Sequence, residues 1–158
     1  MITLIDNALL DALCAEAAAS PRRRKNRNFH AADDHPAHRL LNAMQPDSYI
    51  PPHRHLDPDK DETFVVLRGL LGLVLFDDEG GIARSVKVGA GGTALGVDIP
   101  HGTWHTAVAL EADTVFLEAK AGPYLPFTAA EKAPWAPAEN TPEAAPYLAM
   151  VKALVTRL

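Results

Sequence analysis

Apolar and polar positions change period along this chain. Near the start, Leu9, Leu10, Leu13 and Ala17 recur at helical spacing, with Asp6 placed to cap the first turn. Ser20-Pro21 ends that helix, because proline lacks an amide hydrogen and restricts its predecessor. From Arg39 onward the period is that of strands. Residues 39–44 and 48–50 flank a Pro46-Asp47 turn, 62–68 stop at Gly69, and 71–76 run into the hairpin signal Asp77-Asp78-Glu79-Gly80-Gly81. Residues 82–88, 93–97, 103–110 and 114–120 continue the series, which predicts an antiparallel barrel or sandwich. Beyond Gly122-Pro123-Tyr124 lies a proline-rich arm, Ala133-Pro134-Trp135-Ala136-Pro137, expected to be packed down by Trp135. Pro142-Glu143 then opens a last helix with Leu148, Val151, Leu154 and Val155 on its apolar side. The layout is one globular unit: residues 1–38 a helix and a basic, polar flank, 39–122 a β-barrel, and 123–158 the arm and closing helix. No internal repeat or low-complexity linker divides it.

Composition narrows the function classes. A length of 158 residues with 47% hydrophobic and 22% charged positions suits a single soluble domain with a full core. The net charge of -5 argues against nucleic-acid and anionic-membrane binding. No segment is long and apolar enough to span a bilayer, and the first residues lack the basic flank and apolar run of a secretory signal, so a cytoplasmic location is expected. Cys14 is the only cysteine, which excludes an intramolecular disulfide; its place in the first helical pattern reads as packing.

The chemistry concentrates in His53-Arg54-His55, Glu62 and His105. An extended backbone points His53 and His55 to the same side. In residues 103–110, His105 shares a face with Ala107 and Ala109, which leaves room beside its ring, while Trp104, Thr106, Val108 and Leu110 occupy the other face. Three imidazoles and a carboxylate suit one divalent metal, zinc, iron, nickel or manganese, and leave open positions for water or substrate. Asp57, Asp59 and Asp61 compete with Glu62 for the carboxylate role; Glu62 is preferred because it opens the strand carrying Phe64 and Val66. His35 and His38 have no ligand partner at matching spacing, His101 lies beside a proline in the turn entering the ligand strand, and all three stay outside this shell.

These residues carry a family resemblance. His53, His55, Glu62 and Gly69 resemble the first cupin motif, and Pro100, Gly102 and His105 the second. The resemblance implies a mainly β cupin double-stranded β-helix, a jelly-roll barrel, with His53, His55, Glu62 and His105 as ligands of one metal ion. Two departures stand out: a longer gap from His55 to Glu62, and Ala109 where an asparagine is common. Arg24, Asn28 and His30, the segments 39–42, 49–55, 76–78 and 120–124, and the arm 133–137 resemble more narrowly the WbuC-type cupin fold metalloproteins, over nearly the whole chain. That family is named from polysaccharide (O-antigen) gene clusters, and small cupins often pair, which implies a possible homodimer.

The basic run 22–27 has two readings. One is a solvated connector; the other is an anion clamp over the barrel mouth, since guanidinium groups suit carboxylate and phosphate. The clamp would make Arg24, Asn28 and His30 substrate contacts, joined by Arg39 from the barrel wall unless Arg39 serves a structural ion pair. Tyr124 and Trp135 read as packing residues. Glu118 and Lys120, in the last strand, have no argued partner. The expected function is a metal-dependent enzyme, of isomerase, lyase or dioxygenase type, acting on a small anionic sugar or carboxylate compound. The alternative is a non-catalytic metal-dependent binding or sensor module, and a third reading is a metal-free barrel used for oligomer contacts.

Overall fold

A computed structural model describes residues 1–157. Helix α1 (Asn7–Ala19) begins at Asp6, whose carboxylate accepts a hydrogen bond from the Leu9 amide at 3.0 Å, and ends at Ser20. Eight strands follow among the described residues: β1 (Arg24–Asn28), β2 (Ala37–Met44), β3 (Glu62–Arg68), β4 (Leu70–Phe76), β5 (Ile82–Gly89), β6 (Gly96–Ile99), β7 (Trp104–Ala109) and β8 (Thr114–Ala121). Helix α2 (Ala144–Thr156) closes the chain. The β4–β5 turn is built by Asp77, which accepts from the amides of Glu79 and Gly81. Gly80 there has φ +87°, and a Cβ on it would lie 2.5 Å from the Trp135 ring. That one glycine therefore serves both the turn and the seat of the arm.

The strands form two antiparallel sheets, ordered β1-β2-β8-β3-β6 and β5-β4-β7. Alternation sends Met44, Phe64 and Phe116 from the larger sheet and Leu71, Leu73, Ala107 and Ala109 from the smaller into a shared interior. The outer face of the larger sheet takes α1 on Leu41, Ala43 and Val115. The outer face of the smaller sheet takes α2 through Leu148, Val151 and Val155, which pack on Val74, Trp104 and Val108. This is a jelly-roll arrangement, with one helix and one arm-and-helix unit covering its two outer faces. No helix among the described residues is long and apolar enough to cross a membrane.

Several expectations need correction. Residues 48–50 form no strand: Pro51 and Pro52 remove ladder donors, and the segment is tied down by Tyr49 Oη donating to the Pro137 carbonyl and Thr106 Oγ1 donating to that of Ile50. The strand expected at 93–97 starts later, at Gly96, after a turn in which the Gly92 amide bonds to the Gly89 carbonyl. The basic run is not a loop but mostly edge strand β1, paired with β2 from Arg24↔Met44 to Asn28↔Leu40. Tyr124 is 59% exposed and packs no core, whereas Trp135 does, against Trp104 and Phe76.

Candidate metal centre

The local backbone explains how the imidazoles converge. Residues 51–56 lie beside β7 without joining the sheet, and only His53 makes reciprocal amide–carbonyl bonds with His105, at 3.0 and 2.9 Å. That single bridge sets the two rings 4.5 Å apart. Alternation turns Arg54 the other way, with its guanidinium 4.2 Å over the Trp104 ring, and returns His55 to the side of His53. Glu62 opens β3 in register with Lys120 of β8 and Ile99 of β6. Its carboxylate is thereby delivered under the histidines.

The structure brings all four side chains together. One ligand atom each from His53, His55 and Glu62 lies within 4.8 Å of the others. His55 Nε2 sits 2.9 Å from Glu62 Oε1, and His105 Nε2 sits 3.1 Å from Glu62 Oε2. Glu62 and His105 are each 2% exposed. His53 Nδ1 lies 3.0 Å from the Pro51 carbonyl and His105 Nδ1 2.9 Å from that of Thr103, so each Nδ1 carries a hydrogen. A neutral ring then presents the lone pair of Nε2 to the site, the arrangement that suits an imidazole ligand. Burial first, then the neighbouring His105, pushes His53 down to about 3, which keeps that ring neutral. Burial also acts against charge on Glu62, but the adjacent His105 and His55 rings, with the Lys120 ammonium, hold its carboxyl well below the usual range.

The short distances are not well-formed hydrogen bonds. His55 Nε2, His105 Nε2 and Glu62 Oε2 are buried atoms without a hydrogen-bond partner of acceptable geometry. With His105 Nδ1 turned to the Thr103 carbonyl, its Nε2 faces Glu62 Oε2 without a hydrogen bond between them. A cation among them satisfies all three atoms, so the residues fit a divalent ion. Asp57 and Asp61 do not compete: Asp57 accepts from the Asp59 amide, and Asp61 is turned to His101, whose Nδ1 is 2.8 Å away.

A cavity of about 110 Å³ opens beside these ligands. Ala107 leaves it room, as expected from the strand carrying His105. Its polar wall was not legible beforehand: Lys120 Nζ lies 2.8 Å from Glu62 Oε1 and 2.7 Å from Glu118 Oε1, and Asn42 donates to Glu118 Oε2 at 2.7 Å. Burial opposes charge on Lys120, but Glu118 and Glu62 hold its pKa above the ordinary lysine value. The signal available in the sequence was the spacing Phe116, Glu118, Lys120, which places two charged residues on the inner face of a barrel strand. Phe127, from the C-terminal arm, covers the site with its ring 4.6 Å from His53 and 5.3 Å from His55.

Of the four expected substrate contacts, Arg24 lines this cavity. Its guanidinium is held in turn by the Glu139 carboxylate, at 3.0 Å to each oxygen, and by the Tyr49 carbonyl at 3.0 Å. Asn28 is exposed near the far end of β1, where it accepts from Asn26. His30 is buried away from the cavity, stacked on His38 with centroids 3.9 Å apart. Arg39 faces outward, because alternation along β2 puts it on the side of Leu41 and Ala43. It makes no ion pair with any described residue, so neither reading of Arg39 has support.

A family model described as a domain of unknown function (DUF6016) matches residues 5–88, just over half of the chain. The chain belongs to the DUF6016 family. The matched stretch runs from the start of α1 to β5 and includes His53, His55 and Glu62 but not His105. A search of curated proteins finds no match to this DUF6016 protein. Among solved structures, a conserved SPY1581 protein of unknown function from Streptococcus pyogenes superposes with a TM-score of 0.52 and 13% identity, covering 79% of this chain and 91% of that one. That likeness shows the fold. KdgF from Halomonas sp. gives 0.47 at 22% identity, covering 65% and 82%. Oxalate decarboxylase from Lactobacillus farciminis gives 0.44 at 21% identity, with 57% of the DUF6016 chain matched to 25% of the decarboxylase.

Proposed function

We propose that this DUF6016 protein is a metal-dependent cupin enzyme acting on a small anionic sugar or carboxylate compound, with His53, His55, Glu62 and His105 as the ligands of one divalent ion. The observation that carries the reading is the convergence of three buried, unpartnered atoms, His55 Nε2, Glu62 Oε2 and His105 Nε2. A bound zinc, iron, nickel or manganese ion would supply a Lewis acid able to polarise a ligand oxygen or activate water. The chain's own groups select and orient the ligand. With such an ion in place, the positive charges at the cavity (the ion, Lys120 and Arg24) outnumber the carboxylates Glu62, Glu118 and Glu139 by one, which favours an anion. Lys120 and Glu118 are the groups placed to hold or move a proton, and Phe127 excludes water from the histidine side.

The WbuC-type identity, with its link to polysaccharide (O-antigen) biosynthesis, belongs to the same proposal. Its support is that motif segments distant in sequence are tied to one another: Arg24 donates to the Tyr49 carbonyl, and Tyr49 Oη to the Pro137 carbonyl of the arm.

The test is elemental analysis followed by a conversion assay over a panel of sugar acids and short carboxylates. Protein purified without chelator should hold about one ion per chain, and His105→Ala and Glu62→Gln should each retain less than about a tenth of it. Wild-type metal content in both variants would sink the ligand assignment. Saturable binding of a panel member without conversion would move the protein to the binding-module class.

A further inference from the structure

We infer that the gap between β5 and β6 is a second ligand site, built for a small amphipathic anion such as an alkyl carboxylate. The two sheets meet along two seams. One holds the metal centre; at the other they splay apart around a cavity of about 290 Å³, larger than the roughly 110 Å³ beside the histidines. The two cavities have no lining residue in common.

The wall of the second cavity is aliphatic. Leu73 and Leu75 of β4, Val86 of β5, and Val97 and Ile99 of β6 line it, and Leu75, Val86 and Val97 are left partly exposed there. Register places Arg84 directly across from Leu75 on the same inner face. Arg84 thus brings a permanent positive charge to the rim of an apolar cavity, and it makes no ion pair or hydrogen bond with any described residue. Inner-face charges at the other seam are all paired; this one is not. A ligand with an aliphatic body and one carboxylate satisfies both features, because the body covers the leucines and valines while the guanidinium takes the head group in bidentate fashion.

Two local features bear on this reading. Asp98 also lies at the rim, but Thr63 donates to it at 2.6 Å on the outer side of the sheet, where the two residues are paired in register, so its carboxylate is turned from Arg84's face. A charge on the inner face of an edge strand such as β5 also discourages strand-to-strand association. That guard role needs no cavity and predicts no ligand.

Octanoate and octan-1-ol separate the possibilities, titrated into metal-loaded and metal-stripped protein with methyl NMR as the readout and metal content measured on the same samples. Octanoate should shift the methyls of Leu73, Leu75, Val86, Val97 and Ile99 and bind about tenfold tighter than the alcohol. Each added methylene from hexanoate upward should tighten binding about fourfold until the cavity is full. Arg84→Met should bring octanoate down to the affinity of octanol, and Val86→Trp, which fills the cavity, should remove both. None of this should depend on the metal. Equal affinity for acid and alcohol, no shifts at these methyls, or shifts at Ile50 and Met44 that vanish when the metal is stripped would each overturn the second site. The first two results would leave the metal proposal intact, because the ion is counted independently.

Discussion

The two seams of one barrel solve the same geometric problem in opposite ways. On the metal side, inner-face positions of β3 and β8 carry Glu62, Glu118 and Lys120, and every charge has a partner within 3 Å. The N-terminal strand and C-terminal arm close the mouth, where Arg22 and Arg24 both grip Glu139. On the other side, the inner faces of β5 and β6 are aliphatic, the gap is wider, and Arg84 stands alone. Buried charge is tolerated only where cross-strand register supplies a counter-charge, so the paired seam should be sensitive to single substitutions and the unpaired seam indifferent to them.

Lys120→Met is the most damaging way to test that contrast. It leaves Glu62 and Glu118 buried with no cation between them, a loss expected at about 3–5 kcal/mol by urea unfolding of metal-free protein. Adding Glu118→Gln removes one of the stranded charges, so the double variant should recover about 1–3 kcal/mol relative to additivity. Strict additivity would show that the three groups do not act as a unit.

Glu139 gives a smaller effect with a defined pH signature. Hydrogen bonds from Arg22, against some opposing burial, and then from Arg24 lower its pKa from 4.5 to about 2. A depressed carboxylate pKa stabilises the fold above its unfolded value and loses that contribution as pH falls through its folded value. The clasp should therefore contribute fully above about pH 4.5 and be lost as the pH falls through about 2. Because the groups are partly solvated, the loss in Glu139→Gln at neutral pH is expected to be about 1–2 kcal/mol. Wild type and variant should converge as the pH drops; a difference that persists in strong acid would mean the loss does not come from the ionised clasp.

How much of this was readable from the chain follows from the range of each signal. Local signals read well: the Asp6 cap, the stop at Ser20-Pro21, the Asp77 turn, and the alternation that sets His105, Ala107 and Ala109 on one face. The convergence of His53, His55, Glu62 and His105 was legible because these residues stand in a dense pattern of unusual types. Glu118, Lys120 and Asn42 were missed as a unit because their meeting depends on β8 lying between β2 and β3, a register no single strand encodes. Residues 22–27 misled for a related reason. Most of the run is solvated as it looks, but Arg22 and Arg24 meet an acidic residue far along the chain, Glu139, and Arg39 looked inward only while the phase of β2 was unknown.

The smallest expected effect completes the contrast. Arg84 is exposed, pairs with nothing described, and carries its aliphatic stem from a position directly across from Leu75 at the cavity rim. Arg84→Met keeps most of that stem, removes a charge that no carboxylate balances, and should change unfolding free energy by less than about 0.5 kcal/mol in ligand-free protein. The same substitution is the one expected to abolish the preference for octanoate over octanol. A side chain that is silent in folding and decisive in binding is what a ligand site on an unpaired seam requires. If Arg84→Met instead costs about 1 kcal/mol or more, the guanidinium is part of the packed structure and the two seams differ less than their charges suggest.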